Sequence, residues 1–244
     1  MLERPFDNRR DLAIGETADE TLRFAAQHWI AQAARAIAQH GSFAVALSGG
    51  STPNAIYRLL AEMPQAIDWT KVFLFWGDER AVPPTHPDSN YHAAMQSGFA
   101  SLPIPANQIF RMQAEKTPLE QHAADYEALI KKHLGARLFD LVMLGVGEDG
   151  HTASLFPDTA ALAIEDHLVA ANFVPQKNTW RMTLTYPCIQ QSQKIAIYAL
   201  GASKEAIVPK VLHTTSYPAS RIGTPKHKAL WILDNAAAKR LALS

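Results

Sequence analysis

Short apolar runs alternate along this sequence with longer stretches whose apolar residues recur at helical spacing, as at 17–40 and 119–134. The runs predicted to be strands are 43–47, 72–76, 139–143, 168–174, 182–185, 195–200 and 230–233. Neighbouring parallel strands must be joined by long crossover connections, and the stretches of helical spacing can supply them. The pattern therefore predicts an α/β fold, a three-layer α/β/α sandwich whose doubly wound sheet is mostly parallel.

The overall composition narrows the class of protein. With 244 residues, 48% of them hydrophobic, and no repeat or linker, we expect one large domain covering 1–244. Basic and acidic residues both number 23, so no net charge attracts nucleic acid or an anionic membrane. The amino terminus lacks the apolar segment of a signal peptide, and no apolar run approaches the roughly 18 residues of a membrane span. Cys188 is the only cysteine, which excludes an intramolecular disulfide. We therefore expect a cytoplasmic protein.

A glycine-rich loop, SGGST, lies between a predicted strand and a predicted helix at 48–52. The free amides and the dipole of a helix amino terminus bind phosphate, and glycine lets the backbone approach it closely. A tight turn with a hydroxyl cap explains the same residues, because the loop lacks the lysine of a GxxxxGK[ST] nucleotide loop. The candidate phosphate ligands are Gly49, Gly50, Ser51 and Thr52.

Three charged residues, Asp78, Glu79 and Arg80, follow the strand at 72–76 and precede a long, proline-rich polar loop. Such residues commonly form surface ion pairs of little energetic value. At the end of a strand and beside a long loop, however, Arg80 is also a candidate for binding an anion. Both interpretations remain open at this point.

The segment LGVGEDGHTASLFP at 144–157 follows another predicted strand and contains a formal GxGxxG pattern. That pattern is typical of dinucleotide-binding dehydrogenases, but Pro157 would end the required helix early. Glu148 and Asp149 would also bring negative charge to the position of a pyrophosphate. A dehydrogenase is therefore a weak hypothesis for this chain.

The same segment favours acid–base chemistry. His151 can accept a proton near neutral pH, and Asp149, two residues away, can orient its ring. A lone histidine in a turn is otherwise structural or simply solvated. No GxSxG, HExxH or CxxC motif is present, which argues against a serine hydrolase of that type and against a zinc site. Taken alone, Arg181 and Lys204 would be surface residues.

Taken together, several long motifs resemble the 6-phosphogluconolactonase family over nearly the whole chain. They are LSGGSTP at 47–53, WGDERAVPPTHPDSNY at 76–91, LGVGEDGHTASLFP at 144–157, RMTLTYP at 181–187 and GASKEA at 201–206. The related glucosamine-6-phosphate deaminases carry DGHIAFNEP, with a glutamate where this chain has Phe156, and DEY where it has DER. These two differences favour the lactonases over the deaminases.

The resemblance implies hydrolysis of 6-phosphoglucono-1,5-lactone in the pentose phosphate pathway, with no metal or cofactor. It implies that His151 is the general base and that Asp149 orients it. Substrate phosphate would be held by residues 50–52 with the cations Arg80, Arg181 and Lys204, and Asp78 would line the sugar site. The expected partner is a sugar-phosphate lactone, with no nucleic acid or membrane, and the expected assembly is a monomer or small homo-oligomer. The alternatives are an amino-sugar phosphate deaminase or isomerase and a non-catalytic sugar-phosphate sensor.

Overall fold

The computed structural model describes residues 1–242 and contains two sheets. The strands are β1 (Glu3–Pro5), β2 (Arg10–Gly15), β3 (Phe43–Leu47), β4 (Val72–Trp76), β5 (Asp78–Arg80), β6 (Ile109–Phe110), β7 (Leu141–Gly145), β8 (Val169–Val174), β9 (Thr179–Leu184), β10 (Ile195–Ala199) and β11 (Ala229–Asp234). The α-helices are α1 (Ala18–His40), α2 (Ser51–Ala61), α3 (Asn90–Gln96), α4 (Leu119–Leu134), α5 (Tyr186–Gln191), α6 (Ile207–His213) and α7 (Asn235–Ala238).

The main sheet has eight strands in the order β1-β2-β11-β10-β7-β3-β4-β6. Every neighbouring pair is parallel except β1 and β2. Crossover connections between parallel strands are almost always right-handed, so this strand order places α1 and α2 on one face of the sheet and α4 on the other. Helices α1 and α2 pack against each other. The predicted α/β fold with a mostly parallel sheet is confirmed.

The central strands are almost entirely apolar because helices cover both faces of the sheet. All residues of β3, β10 and β11 are buried. Helix α1 is fixed at both ends: the Thr17 side chain accepts a hydrogen bond from the backbone N–H of Glu20, and Gly41 ends the helix in a left-handed conformation, at φ 87°. No helix in the described part of the chain has the length and apolar character needed to cross a membrane.

The topology reverses between β3 and β7. From β3 the chain proceeds to β4 on one side, whereas after β7 the next strand of the main sheet is β10 on the other side. The two strands are direct neighbours, paired through Val45 and Leu141. In open α/β sheets, ligands bind at such a reversal, beyond the carboxyl ends of the strands. The loops after β3 and β7 are therefore where a site is expected.

A second, antiparallel sheet has the order β5-β9-β8. The sequence predicted β8 and part of β9 as strands but no second sheet. Residues Pro175–Lys177 and Asn178, at φ 45°, join β8 and β9 as a tight hairpin. The third strand of this sheet, β5, has only three residues, Asp78, Glu79 and Arg80, and it forms by pairing with β9. This pairing places charged residues from two distant segments side by side.

Candidate active site

A cavity of about 240 Å³ opens at the carboxyl edge of the main sheet, where its topology reverses. Loops after β3, β7 and β10 line it, together with β5 and β9 of the second sheet. The predicted site residues on its wall are Gly49, Gly50, Ser51, Thr52, Asp78, Arg80, His151, Arg181 and Lys204. Asp149 is not on the wall and reaches the site through His151.

The glycine-rich loop leaves the amino terminus of α2 open to a ligand. Helix α2 begins at Ser51 after Gly50, whose φ of 108° favours glycine, and no described side chain caps it. The hydroxyl of Tyr57 holds the start of the loop, donating to the carbonyl of Ser48 (2.7 Å) and accepting from its N–H (3.0 Å). The amides that begin α2 are thus available for an anion.

His151 and Asp149 form a hydrogen-bonded dyad in the loop after β7. Nδ1 of His151 lies 2.5 Å from Oδ1 of Asp149, and the backbone N–H of His151 donates to the same oxygen at 3.1 Å. An ionised carboxylate only accepts, so Nδ1 carries the proton of this bond, and Nε2 of a neutral ring is free to accept one. This is the tautomer that a general base needs.

The environment of Asp149 keeps it ionised. Partial burial opposes ionisation, but the hydrogen bonds from His151, together with its charge when the ring is protonated, outweigh this effect, so the pKa of Asp149 lies below its ordinary value. Gly147 makes room for the pair: a Cβ there would lie 2.1 Å from Nδ1 of His151 and 2.6 Å from Oδ1 of Asp149. A side chain at this position would therefore displace His151 or Asp149.

An aromatic ring supports the other side of the histidine. Phe156 is buried and stacks on His151, with ring centroids 3.9 Å apart and an interplanar angle of 16°. The guanidinium of Arg181 lies 5.9 Å from the centroid of the Phe156 ring. Among the described residues, Asp149 is the one carboxylate within ion-pair distance of His151.

The two predicted arginines lie side by side on adjacent strands of the second sheet. Arg80 of β5 and Arg181 of β9 are directly opposite in the register. Arg80 donates from Nη1 to the carbonyl of Asp88 (2.5 Å), and the buried Nε atoms of both arginines have no partner among the described residues. Burial lowers the pKa of Arg181 and the charge of Arg80 adds to this effect, although Asp78 opposes it. Like charges placed opposite each other on adjacent strands are destabilising, and a bound anion would reduce the repulsion between the two guanidinium groups.

Asp78 connects the cavity wall to two other segments. Its Oδ2 accepts from the hydroxyl of Ser154 (2.6 Å), and its Oδ1 accepts from Nδ2 of Asn90 (3.1 Å). Asn90 also lines the cavity, and its Oδ1 lies 1.8 Å from the position of a Cβ on Gly49. Sequence reasoning missed Asn90 and Ser154 as site residues, although both lie in the motifs that carry the family resemblance.

Glu79 acts as an internal cap for the loop that follows Arg80. Its buried carboxylate accepts from the N–H groups of Arg80, Asn90 and Tyr91 and from the hydroxyl of Ser89, at 2.8–2.9 Å. Burial raises the pKa of Glu79 in spite of these bonds. The residue does not line the cavity. It fixes the start of α3 and thereby the position of Asn90.

No group of three or more His, Cys, Asp or Glu side chains arranged to hold a metal ion occurs within residues 1–242. The site described above combines the dyad, the open helix terminus, a set of cations and the polar groups around Asp78. This arrangement can bind an anionic substrate and exchange a proton with it.

Comparison with known proteins gives consistent results. The sequence model of the family described as glucosamine-6-phosphate isomerases/6-phosphogluconolactonase matches residues 16–231. A 6-phosphogluconolactonase of Chlamydia muridarum is 44% identical over 228 residues, covering 92% of this chain and 88% of the relative. The solved structure of the Trypanosoma brucei 6-phosphogluconolactonase is 26% identical and superimposes with a TM-score of 0.84, covering 95% of this chain and 98% of that one. A monomeric glucosamine-6-phosphate deaminase shares the fold, with a TM-score of 0.80 at 21% identity, over 93% of this chain and 98% of its own.

Proposed function

The chain belongs to the glucosamine-6-phosphate isomerase/6-phosphogluconolactonase family, and we propose that it hydrolyses 6-phosphoglucono-1,5-lactone to 6-phosphogluconate in the pentose phosphate pathway. The observation that carries the proposal is the His151–Asp149 dyad, stacked on Phe156 in a cavity that also contains two adjacent arginines. A general base and an anion site in one cavity suit a phosphorylated substrate whose ester bond is cleaved by water.

In the proposed mechanism, Nε2 of His151 removes a proton from a water molecule as that water attacks the lactone carbonyl. The tetrahedral intermediate then opens, and the imidazolium returns the proton to the ring oxygen that leaves. Asp149 holds the Nδ1 proton throughout and stabilises the charged ring. Phe156 supplies a wall that keeps the imidazole plane fixed.

The phosphate of the substrate is assigned to the amides of residues 50–52, with the charges of Arg80, Arg181 and Lys204 around it. Helix-terminal amides and guanidinium groups are good ligands for phosphate oxygens. Asp78, which also lies on the cavity wall and accepts hydrogen bonds from Ser154 and Asn90, is assigned to the sugar hydroxyls. The phosphate fixes the sugar, and the dyad acts on the ring ester.

These steps require only proton transfer and charge stabilisation, so the proposal includes no metal or organic cofactor. It also includes a cytoplasmic enzyme of one domain, covering 1–244, that works as a monomer or small homo-oligomer and binds neither nucleic acid nor membrane. Its balanced charge, 23 basic and 23 acidic residues, supports the last point.

Two assays on the purified protein test the assignment. Acid release from 6-phosphoglucono-1,5-lactone is expected. Ammonia release from glucosamine 6-phosphate is not expected, because the side chain of Phe156 has no carboxylate, whereas the deaminases carry a glutamate at this position. The opposite result would make the protein a deaminase of the same fold. Binding of 6-phosphogluconate without either activity would make it a sugar-phosphate sensor.

Gly147→Ala is expected to lower kcat for the lactone at least about tenfold, because the added methyl must displace the ring of His151 or the carboxylate of Asp149. The comparison variant is Gly145→Ala at the end of β7, where a Cβ meets no atom within 4 Å; because Gly145 lies on the cavity wall, this variant should change KM and leave kcat unchanged. Steady-state kinetics on both variants, with thermal unfolding to verify folding, make the comparison. Equal kcat values for the two variants would mean that the position of the dyad does not control the rate.

A further inference from the structure

Tyr198, near the end of β10, has a buried hydroxyl that the proposed mechanism does not use. The residue lines the active-site cavity and is 2% exposed. Its hydroxyl has no hydrogen-bond partner within residues 1–242. Burial raises the pKa of Tyr198 well above its ordinary value, so at neutral pH the group retains its proton and remains a donor.

The other buried tyrosines of the described chain are satisfied. Tyr57 donates to the carbonyl of Ser48, Tyr126 to that of Phe110 and Tyr186 to that of Pro218, at 2.7–3.0 Å. Each of these hydroxyls has a main-chain acceptor, as buried polar groups generally do. Tyr198 differs from them both in lacking an acceptor and in lining the cavity.

The space beside Tyr198 is open to a ligand. In the parallel register Tyr198 pairs with Gly145 of β7, so the two residues lie on the same face of the sheet. A Cβ on Gly145 would meet nothing within 4 Å. The glycine therefore leaves room next to the tyrosine, on the cavity wall that also contains Pro53 and Lys204.

An unpaired hydroxyl is unfavourable in a protein interior, and phenylalanine would fill the same place without that cost. We propose that Tyr198 is a substrate-binding residue whose hydroxyl donates a hydrogen bond to an oxygen of the bound sugar phosphate. This inference rests on the proposed function, because that function identifies the ligand as a sugar phosphate. The hydroxyl is then unpaired only in the free enzyme, and binding of the ligand satisfies it.

The test is Tyr198→Phe, which removes only the oxygen. Loss of a hydrogen bond to a charged or strongly polar oxygen is expected to raise the KM for the lactone, and the Kd of 6-phosphogluconate measured by titration calorimetry, about 10- to 100-fold. The Tm of the free protein is expected to stay the same or rise, since a buried group without a partner has been removed. Together these changes would separate a binding role from a structural one.

Tyr186→Phe is the matched control. It removes a buried hydroxyl that donates to Pro218 outside the cavity, so a lower Tm with unchanged Kd is expected. Titrations of Tyr198→Phe with inorganic phosphate and with gluconate then identify the oxygen that the hydroxyl contacts. The Kd of phosphate is expected to rise if the hydroxyl contacts the phosphoryl group, and the Kd of gluconate if it contacts the sugar.

Unchanged affinity for all three ligands would overturn the inference, as would a fall in Tm like that of Tyr186→Phe. Failure of the proposed function is a separate result, because it appears in the wild-type protein as an absence of lactone hydrolysis. Binding of 6-phosphogluconate is measured without turnover, so it tests Tyr198 independently of catalysis.

Discussion

His151→Ala is expected to lower kcat for lactone hydrolysis about 10²- to 10⁴-fold, the usual contribution of a positioned general base. The fold should survive, because the side chain is 27% exposed and, within residues 1–242, its one side-chain hydrogen bond is to Asp149. Residual activity would come from substrate binding and from the electrostatics of the cavity. Rates of acid release at saturating lactone, corrected for spontaneous hydrolysis, measure the effect.

Two further variants make this result specific. Asp149→Asn removes the negative charge that stabilises the imidazolium, and its amide N–H can donate to Nδ1 and so favour the tautomer that cannot act as a base; a loss of kcat comparable to that of His151→Ala is expected. His122 lies 3.6 Å from Asp125 and provides a histidine–aspartate pair outside the cavity. His122→Ala should leave kcat unchanged. A folded His151→Ala protein with a near wild-type rate would remove His151 from the role of base.

The main sheet could be predicted because its strands are buried on both faces and therefore form continuous apolar runs, such as β3 and β10. The edge strand β1, its neighbour β2, the two-residue β6 and the short α3 were not predicted. Strand β1 is exposed and β2 begins with the charged Arg10 and Asp11, so neither forms a strong apolar run. Strand β5 exists only through its partner β9, and local sequence carries no signal for such a distant pairing.

The proximity of the glycine-rich loop and the His151–Asp149 dyad follows from one topological fact. Loops after parallel strands meet at the carboxyl edge of the sheet, so the segments around Gly50 and His151 had to come close once β3 and β7 were neighbours. Tyr198 could not be found in this way, because a tyrosine within an apolar strand has the pattern of a core residue. Only the packed structure reveals that its hydroxyl lacks an acceptor within the described chain.

Arg181→Met is expected to raise the KM for the phosphorylated lactone about 30-fold or more, the effect of removing one member of a buried, hydrogen-bonded charge pair. Hydrolysis of the unphosphorylated glucono-1,5-lactone should change little, because that substrate has no phosphate to bind. The Tm of the free protein should stay the same or rise. Arg181 lies beside Arg80 on the adjacent strand, and its buried Nε has no partner among the described residues.

Arg221→Met is the control for this experiment, because its guanidinium also lies over an aromatic ring, 4.1 Å from the centroid of Tyr186, outside the cavity. It should leave both KM values unchanged. The informative quantity is the ratio of the losses on the two lactones in Arg181→Met. A loss confined to the phosphorylated lactone assigns Arg181 to the phosphate. Equal losses would assign it to the sugar or to the fold, and the phosphate would then depend on the amides of residues 50–52 with Arg80 and Lys204.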